Sequence, residues 1–478
     1  MLMTDEAFQA KLANYCTKTF GADGKLEHLR RLSGGASMES WAFSYGGEDF
    51  VLRRLPAGLS ADDDGLRGVP LATQADIIEL ARTTGVTAPE VRGRLAPEDD
   101  IGEGFIMAKA EGETLPHKIL GNPDFAEAER KLTRQCAGEL AAIHQIPVQS
   151  LAASLEYFSP AELIRIQKDK YDEIGSQIPI YEYAFHWLNE NAPDATDKYL
   201  VHGDFRMGNL MIDHDGLSAV LDWELVRLGD PVQDLAYLCT PSWRFGHYEK
   251  VAGGFDSAEA LLQAYAEASG REVDPDRFRF WLVYSTLWWG VACMVMGQIW
   301  RSHGDRSLER TVIGRRVSEV EIDLALLFEE ILPAEICTPF DWAVPEDQTV
   351  TGETGYGELL TALGEWNAKH VQPGLQGHDK FQSRVAGNAL GIARRQAEWG
   401  PDFRDAAKAR LTAIGYDHGQ LCSGLSNGEI AITQSAVWDH LRLSALERLS
   451  IDQPKYAGLK VALKNGDQHD RFRNPAGN

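Results

Sequence analysis

Residues 201 to 212 read VHGDFRMGNLMI, and residues 217 to 238 continue LSAVLDWELVRLGDPVQDLAYL. Asp204, Asn209 and Asp222 are acid or amide side chains set among strand-forming apolar residues. Burying carboxylates beside valine and leucine is costly unless something neutralises them. The stretch therefore favours folds in which short strands bring acidic side chains together and a cation meets them there, over an α/β protein whose acidic turns are satisfied by hydrogen bonds.

The surrounding pattern narrows the choice. Phe8, Leu12 and Tyr15 recur at helical spacing over residues 5–20. Three strand-like pieces follow: one ending LRRL at Leu32, then WAFSY (41–45) and FVLRRL (50–55). SGGASMES (33–40) joins the first two, and GGED (46–49) is a hairpin signal. A helix over TQADIIELARTTG ends at Gly85, and FIMAKAEGETL (105–115) reads as a strand running into a loop. Beyond about residue 115 the pattern is mostly helical, broken by strand pieces around YLVHGD and SAVLDW. This order suits phosphoryl transfer, which needs positioning and charge neutralisation more than covalent help from the protein. Asp204 and Asn209 are five residues apart, as in the kinase pattern H-R-D-x-x-x-x-N, and Asp222 ends a strand as the Asp of D-F-G does. Mg²⁺ held by hard oxygen atoms of Asn209 and Asp222, with nucleotide phosphate, would neutralise the carboxylates.

VHGDFRMGNLM with AVLDWELVRLGDPVQDLAYL resembles the aminoglycoside phosphotransferase and choline kinase superfamily, which is protein-kinase-like. The resemblance covers about residues 25–330. It points to bacterial phosphotransferases related to the kinase domains fused to acyl-CoA dehydrogenases, where LRR-x-P-x-G and LDWE-x-x-x-LGDP recur. It implies an α+β, bilobal protein-kinase-like fold: a small antiparallel-sheet N-lobe, a mostly helical C-lobe, then a small all-helical C-terminal domain. ATP and Mg are the implied cofactors.

The resemblance also implies roles for individual residues. Asp204 would be the catalytic base or hydroxyl-orienting carboxylate, His202 would brace its loop, and Asn209, Asp222 and Glu224 would serve the metal, Glu224 through water. Arg53 stands where V-A-I-K carries its lysine; arginine keeps the charge and can grip two phosphate oxygens. The lysine's helix Glu partner falls at Gln74, so the ion pair is lost, although Gln74 could still hydrogen-bond Arg53. Backbone N–H groups of Ser33, Gly34, Gly35, Ala36 and Ser37 would face the β-phosphate. Met107, Ala108 and Lys109 would form the hinge beside adenine, and Met211 either floors the base or packs in the core. Asp234 reads as an anchor of the catalytic-loop backbone, Asp230 as a cap for the next helix, and Arg206 as a phosphate contact or a salt-bridge partner. TPSWRFGHYEKVAGGF (240–255) is a candidate lining for the acceptor, through Trp243, Arg244 and His247.

Composition adds limits. With 478 residues, two to three domains are expected. The formal net charge is −24, from 47 basic and 71 acidic residues. Residues 341–478 hold 15 basic and 17 acidic residues, or −2, which leaves −22 for the first 340 and suggests units of different origin. So acidic a chain argues against nucleic-acid and membrane-surface partners. Six scattered cysteines without a C-x-x-C pair fit reduced thiols in the cytoplasm, and MLMTDEAFQAKL shows no signal-peptide pattern. Residues 280–300 run 21 positions without a formal charge, about a bilayer's width, but central Trp residues favour a buried core helix.

The expected divisions are an N-terminal helix (1–24), an N-lobe (25–110), a C-lobe with the catalytic and metal loops (111–333), a linker (334–357) and an all-helical domain (358–478) whose tail is disordered. In the last part, Leu359, Leu360, Leu363 and Trp366 form one helical stripe, and Trp438, Leu441, Ala445 and Leu449 another. FQSRVAGNALGIARRQ (381–396) and LRLSALERLSIDQPKY (441–456) resemble a helical domain of unknown function that often follows such kinases. A chain cut near residue 345 is expected to keep the kinase lobes folded. The expected activity is transfer of phosphate to a hydroxyl of a small molecule, a hydroxyacyl-CoA or related hydroxy metabolite. Two alternatives stay open: an aminoglycoside- or choline-type kinase, since a polycation suits an acidic cleft, and a catalytically weak nucleotide-binding pseudokinase scaffold. A homodimer through the helical domain completes the partners considered.

Overall fold

The computed structural model describes residues 5–32, 38–55, 68–151, 155–195, 198–302, 306–337, 340, 342–345 and 352–465. Ser33, Gly34, Gly35, Ala36 and Ser37, expected at the phosphates, and the tail expected to be disordered lie outside the described residues. The chain forms two compact units: residues 1–159 with 194–281, and residues 160–193 with 282–478.

The first unit opens with a helix, α1 (Asp5–Phe20), followed by strands β1 (Leu26–Arg31), β2 (Glu39–Tyr45) and β3 (Glu48–Leu55). A second helix, α2 (Leu71–Thr83), precedes β4 (Val91–Arg94) and β5 (Glu103–Ala108). The five strands make one antiparallel sheet in the order β1-β2-β3-β5-β4. Gly46 and Gly47 both take positive φ, the conformation a two-residue hairpin needs, so β2 and β3 pair tightly from Tyr45–Glu48 to Glu39–Arg54. Phe8, Leu12, Tyr15 and Cys16 of α1 are buried with Phe43, Tyr45, Phe50, Leu52 and Ile106 of the sheet. Each large side chain so buried contributes about 1.5–3 kcal/mol.

Four short strands position the acidic loops. The strand β6 (Tyr199–Val201) pairs with β9 (Arg227–Gly229), and β7 (Leu210–Asp213) pairs with β8 (Gly216–Val220), both antiparallel. Residues 202–209 cross from β6 to β7, and residues 221–226 return from β8 to β9. Two loops thus bridge the same pair of ribbons, which brings positions 204, 209 and 222 together despite their separation in sequence.

The second unit is helical among the described residues. The helix Pro275–Arg301 is 27 residues long and apolar enough, by length and composition, to cross a membrane, yet 72% of its most apolar window is buried within the protein. That agrees with the core helix expected from its sequence. Val317–Glu329 is buried along its run from Val317 to Phe328. The two C-terminal stripes part company. Trp438, Leu441, Ala445 and Leu449 are buried, whereas Leu359, Leu363 and Trp366 are exposed. The helix Tyr356–Trp366 packs chiefly on Gly377–Glu398 and buries none of its residues, so apolar periodicity there marks a face turned outward.

Candidate active site

Asp204 follows Gly203, whose φ of +79° turns the chain out of β6; a Cβ there would come within 2.4 Å of the Leu225 carbonyl. The Asp204 carboxylate is largely buried and both oxygens are engaged. Arg206 Nε donates to Oδ1 at 3.0 Å and Asn209 Nδ2 donates to Oδ2 at 2.5 Å. The same amide nitrogen reaches the Asp204 carbonyl at 3.0 Å. Asn209 thereby spends its donor on the loop, and its side-chain oxygen accepts no hydrogen bond among the described residues.

Asp222 sits at the start of the return loop with φ +65°, a left-handed conformation rare outside glycine. The Leu221 N–H donates to the Asn209 carbonyl at 2.8 Å, which fastens the two loops to each other. Arg53, on β3 opposite Ser40 and Phe105, meets this loop. Its Nη1 lies 2.8 Å from Asp222 Oδ1, and its Nη2 pairs with Glu224. The contact to Asp222 is charge against charge without hydrogen-bond alignment, and Asp222 Oδ1 stays buried without a donor. Burial opposes the Arg53 charge, but Asp222 and Glu224 outweigh it and hold the guanidinium firmly protonated. Burial, together with the charge of Asp222, pushes the Glu224 carboxyl up to about 7 in spite of Arg53.

Support comes from behind. Burial drives the His202 pKa down even though Asp234, Asp204 and Asp222 pull the other way, so the ring is neutral. Its Nε2 reaches the Leu221 carbonyl at 3.1 Å while Nδ1 accepts from the Asp204 N–H at 3.3 Å, tying both loops through one imidazole. Asp234, fully buried, accepts the N–H groups of His202 and Gly203 at 2.7 and 2.9 Å, and His144 Nε2 at 3.1 Å. Burial alone would raise the Asp234 pKa, but the His144 hydrogen bond and the loop donors hold it below the usual range. Asp230 Oδ1 accepts the Val232 N–H at 3.0 Å, as a cap should, while its other oxygen takes Arg277 at 2.5 Å and Trp281 at 2.6 Å.

On the remaining sides the expected residues divide. The Arg206 guanidinium lies over the Trp243 ring, 4.7 Å from its centroid, so this cation stands beside Asp204. Tyr237 lies within reach of both Asp204 and Arg206, and burial, with the Asp204 charge, holds its hydroxyl protonated. Arg244 is spent on structure: Nε and Nη2 bond the Cys239 carbonyl at 3.1 and 3.0 Å, and Nη1 the Tyr248 carbonyl at 3.0 Å. Gln74 does not turn to Arg53; its Nε2 donates to the Val69 carbonyl at 2.8 Å. Met107 is on β5, across from Val51, and Met211 is half-buried on β7. Lys109 extends to Asp49 at 3.1 Å and Glu111 at 3.4 Å, an exposed pairing. His144 and Tyr237 were not legible as site residues. A lone His at the end of an amphipathic helix, Ala126–Ile143, carries no signal, though Tyr237 lies within the quoted DLAY.

Among the described residues no three His, Cys, Asp or Glu side chains group as a metal cluster. The donors present nevertheless fit Mg²⁺, which takes one or two carboxylates and fills its octahedron with water and phosphate. They are the side-chain oxygen of Asn209 and the carboxylate of Asp222, whose Oδ1 faces Arg53 without an aligned donor.

Comparison with known proteins bears on the same residues. The model of the phosphotransferase enzyme family matches residues 28–281, and that of a domain of unknown function matches residues 373–456. Acyl-CoA dehydrogenase family member 11 of Pongo abelii is 27% identical over 290 residues, covering 56% of this chain and 36% of the relative. Acyl-CoA dehydrogenase family member 10 of Mus musculus is 26% identical over 296 residues, covering 57% of this chain and 26% of the relative. The chain thus spans about a third or less of the length of these relatives. A solved structure of a candidate aminoglycoside phosphotransferase from Ralstonia eutropha aligns at a TM-score of 0.54 and 21% identity, over 67% of this chain and 98% of that one. The fold is kinase-like, with an N-terminal antiparallel sheet and a helical remainder. Since the family model spans more than half of the chain and contains Arg53, Asp204, Asn209 and Asp222, the chain belongs to the phosphotransferase enzyme family.

Proposed function

We propose that this protein uses ATP and Mg²⁺ to phosphorylate a hydroxyl of a small molecule, with a hydroxyacyl-CoA or related hydroxy metabolite as acceptor. The observation that carries this reading is the meeting of Asp204, Asn209 and Asp222 with Arg53 across two loops fastened together. In this reading Asp204 orients the acceptor hydroxyl and receives its proton as the phosphoryl group moves. Arg53 grips phosphate oxygens with a fork that suits them. Asn209 and Asp222 would hold Mg²⁺, which supplies neutralisation of phosphate charge when bound. His202 and Asp234 keep the loop in register. The reading places the enzyme in the cytoplasm, in keeping with six free cysteines.

The acceptor class is argued from Arg206. A guanidinium stacked on Trp243 beside the base favours an anionic acceptor, such as an acyl-CoA, over a polycationic aminoglycoside. The names of the curated relatives motivate the same panel. A scaffold without catalysis loses its main support, because Arg53 has two carboxylate partners in place of a helix acid. ATP turnover with Mg²⁺ against hydroxyacyl-CoAs, choline and aminoglycosides tests the proposal, with Asp204→Asn as control. Phosphorylation of a hydroxyacyl-CoA that disappears in the variant is the expected result. Nucleotide binding with no panel member phosphorylated would favour the scaffold instead.

A further inference from the structure

The segment just before α2 touches the return loop. Gln74 is 1% exposed and donates from Nε2 to the Val69 carbonyl at 2.8 Å. The Val69 N–H donates in turn to the Glu224 carbonyl at 2.8 Å. A Cβ at Gly68 would come within 3.1 Å of that same carbonyl oxygen, so the two backbones run in close contact. Glu224 then directs its carboxylate to Arg53 Nη2, while Nη1 faces Asp222. An unbroken path leads from the buried amide on α2, through one peptide unit, to the carboxylate that holds the β3 cation.

We propose that Glu224 is the anchor of Arg53 in this chain and that Gln74 is a positioning residue acting on Glu224 through the Val69 peptide. The proposal rests on the phosphotransferase reading, which gives Arg53 its task at the nucleotide phosphates. The chemistry of each partner is restrictive. The Val69 carbonyl can only accept, so position 74 must donate; an amide does, and an ionised carboxylate does not. Arg53 must span two carboxylates at once, which a planar guanidinium fork can do and a single ammonium does less well. Two consequences run against simple expectation. Gln74→Glu, which puts an acid on α2 at the position expected to face the cation, disrupts the path, because it sets a carboxylate against a carbonyl oxygen. Arg53→Lys keeps the charge and loses one of the two anchors.

The test uses the full chain and ADP as probe, with affinity measured by calorimetry with and without Mg²⁺ and melting recorded without nucleotide. Loss of one charge-assisted or buried hydrogen bond corresponds to roughly a tenfold weakening. Gln74→Glu, Glu224→Gln and Arg53→Lys are each expected to raise the ADP Kd about tenfold. Melting without nucleotide should move far less than a general loss of structure would require. Gln74→Glu combined with Glu224→Gln should be little worse than either alone, because both cut the same path. ADP affinity in Gln74→Glu equal to or tighter than that of the parent, or fully additive losses in the double variant, would overturn the assignment. Should Gln74→Glu fail to fold, Gln74→Met, which lacks the donor at similar volume, carries the same expectation. Failure of the parent protein to bind ADP at all would sink the phosphotransferase reading, whereas binding by the parent with unchanged affinity in every variant would sink only the anchor.

Discussion

Asp204 has both carboxylate oxygens occupied before any substrate arrives, one by Arg206 and one by Asn209. Such donors fix the direction of the carboxylate, which is what a base aimed at one hydroxyl requires. Asp204→Asn is expected to lower kcat by about 10²–10⁴-fold, the usual weight of a positioned acid–base group, with little change in nucleotide affinity. Rapid-quench or coupled assays on the phosphorylated acceptor check this, and a kcat near that of the parent would remove Asp204 from the base role. Arg244 makes the opposite case. Its three donating nitrogens end on two backbone carbonyls, so Arg244→Ala should cost about 2–4 kcal/mol of stability by leaving them unpaired. Denaturant unfolding checks that; a normal midpoint with altered acceptor preference would return Arg244 to the substrate. Asp204, Asn209 and Asp222 were legible because spacing in a loop survives folding. Arg244 was misleading because a charged residue in an aromatic, Gly-rich loop looks the same whether its guanidinium faces a ligand or the chain's own carbonyls.

At the level of elements, most of the sheet could be read from the sequence, since WAFSY and FVLRRL are strand-like and Gly46–Gly47 fix their turn, whereas the short β4 (Val91–Arg94) was not expected. The stripe of Leu359, Leu363 and Trp366 is exposed, because periodicity makes a face but does not decide which way it points. The helix Ser435–Asp452 carries a feature no pattern announces. His440 is buried there, and burial, with the nearby charges of Arg410 and His418, pushes its pKa down from the ordinary 6.5 to about 4. Between pH 6.5 and 4 the unfolded chain therefore takes up a proton that the folded chain refuses. Stability contributed by the neutral ring is present above pH 6.5 and is lost as the pH falls toward 4, by up to about 3 kcal/mol. His440→Gln should flatten this part of the profile. Melting temperatures measured from pH 7 down to 4.5 check it, and identical slopes in the two proteins would show that His440 is not the group responsible.

For the molecule as a whole, charge asymmetry on either side of residue 340 suggested units of different origin, whereas the compact units divide as residues 1–159 with 194–281 and residues 160–193 with 282–478. Composition cannot report a contact between residues far apart in sequence. Within the second unit, Pro179–Glu190 packs on His418–Ser426, and the His418 ring meets the Gln177 carbonyl at 3.0 Å. The buried helix Val317–Glu329 packs on Ser435–Asp452. Its acids are answered from the C-terminal segment: Arg448 lies 2.6 Å from Glu321, and the Tyr456 hydroxyl donates to Asp323 at 2.8 Å. Arg315, just before it, donates to Asp452 at 2.7 Å. A chain ending near residue 345 would therefore lose these partners of Glu321 and Asp323, together with the helix Ser435–Asp452 that packs on the apolar, buried helix carrying Ile322 and Leu324. Exposed apolar surface on that scale leads to association. We expect the fragment 1–345 to be aggregated by size-exclusion chromatography, where the full chain elutes as a discrete species, even though it keeps every residue assigned to phosphate transfer. A soluble fragment with the ADP affinity of the full chain would instead show that the lobes fold without the C-terminal helices. That would put the working boundary back in the 334–357 segment where composition suggested it.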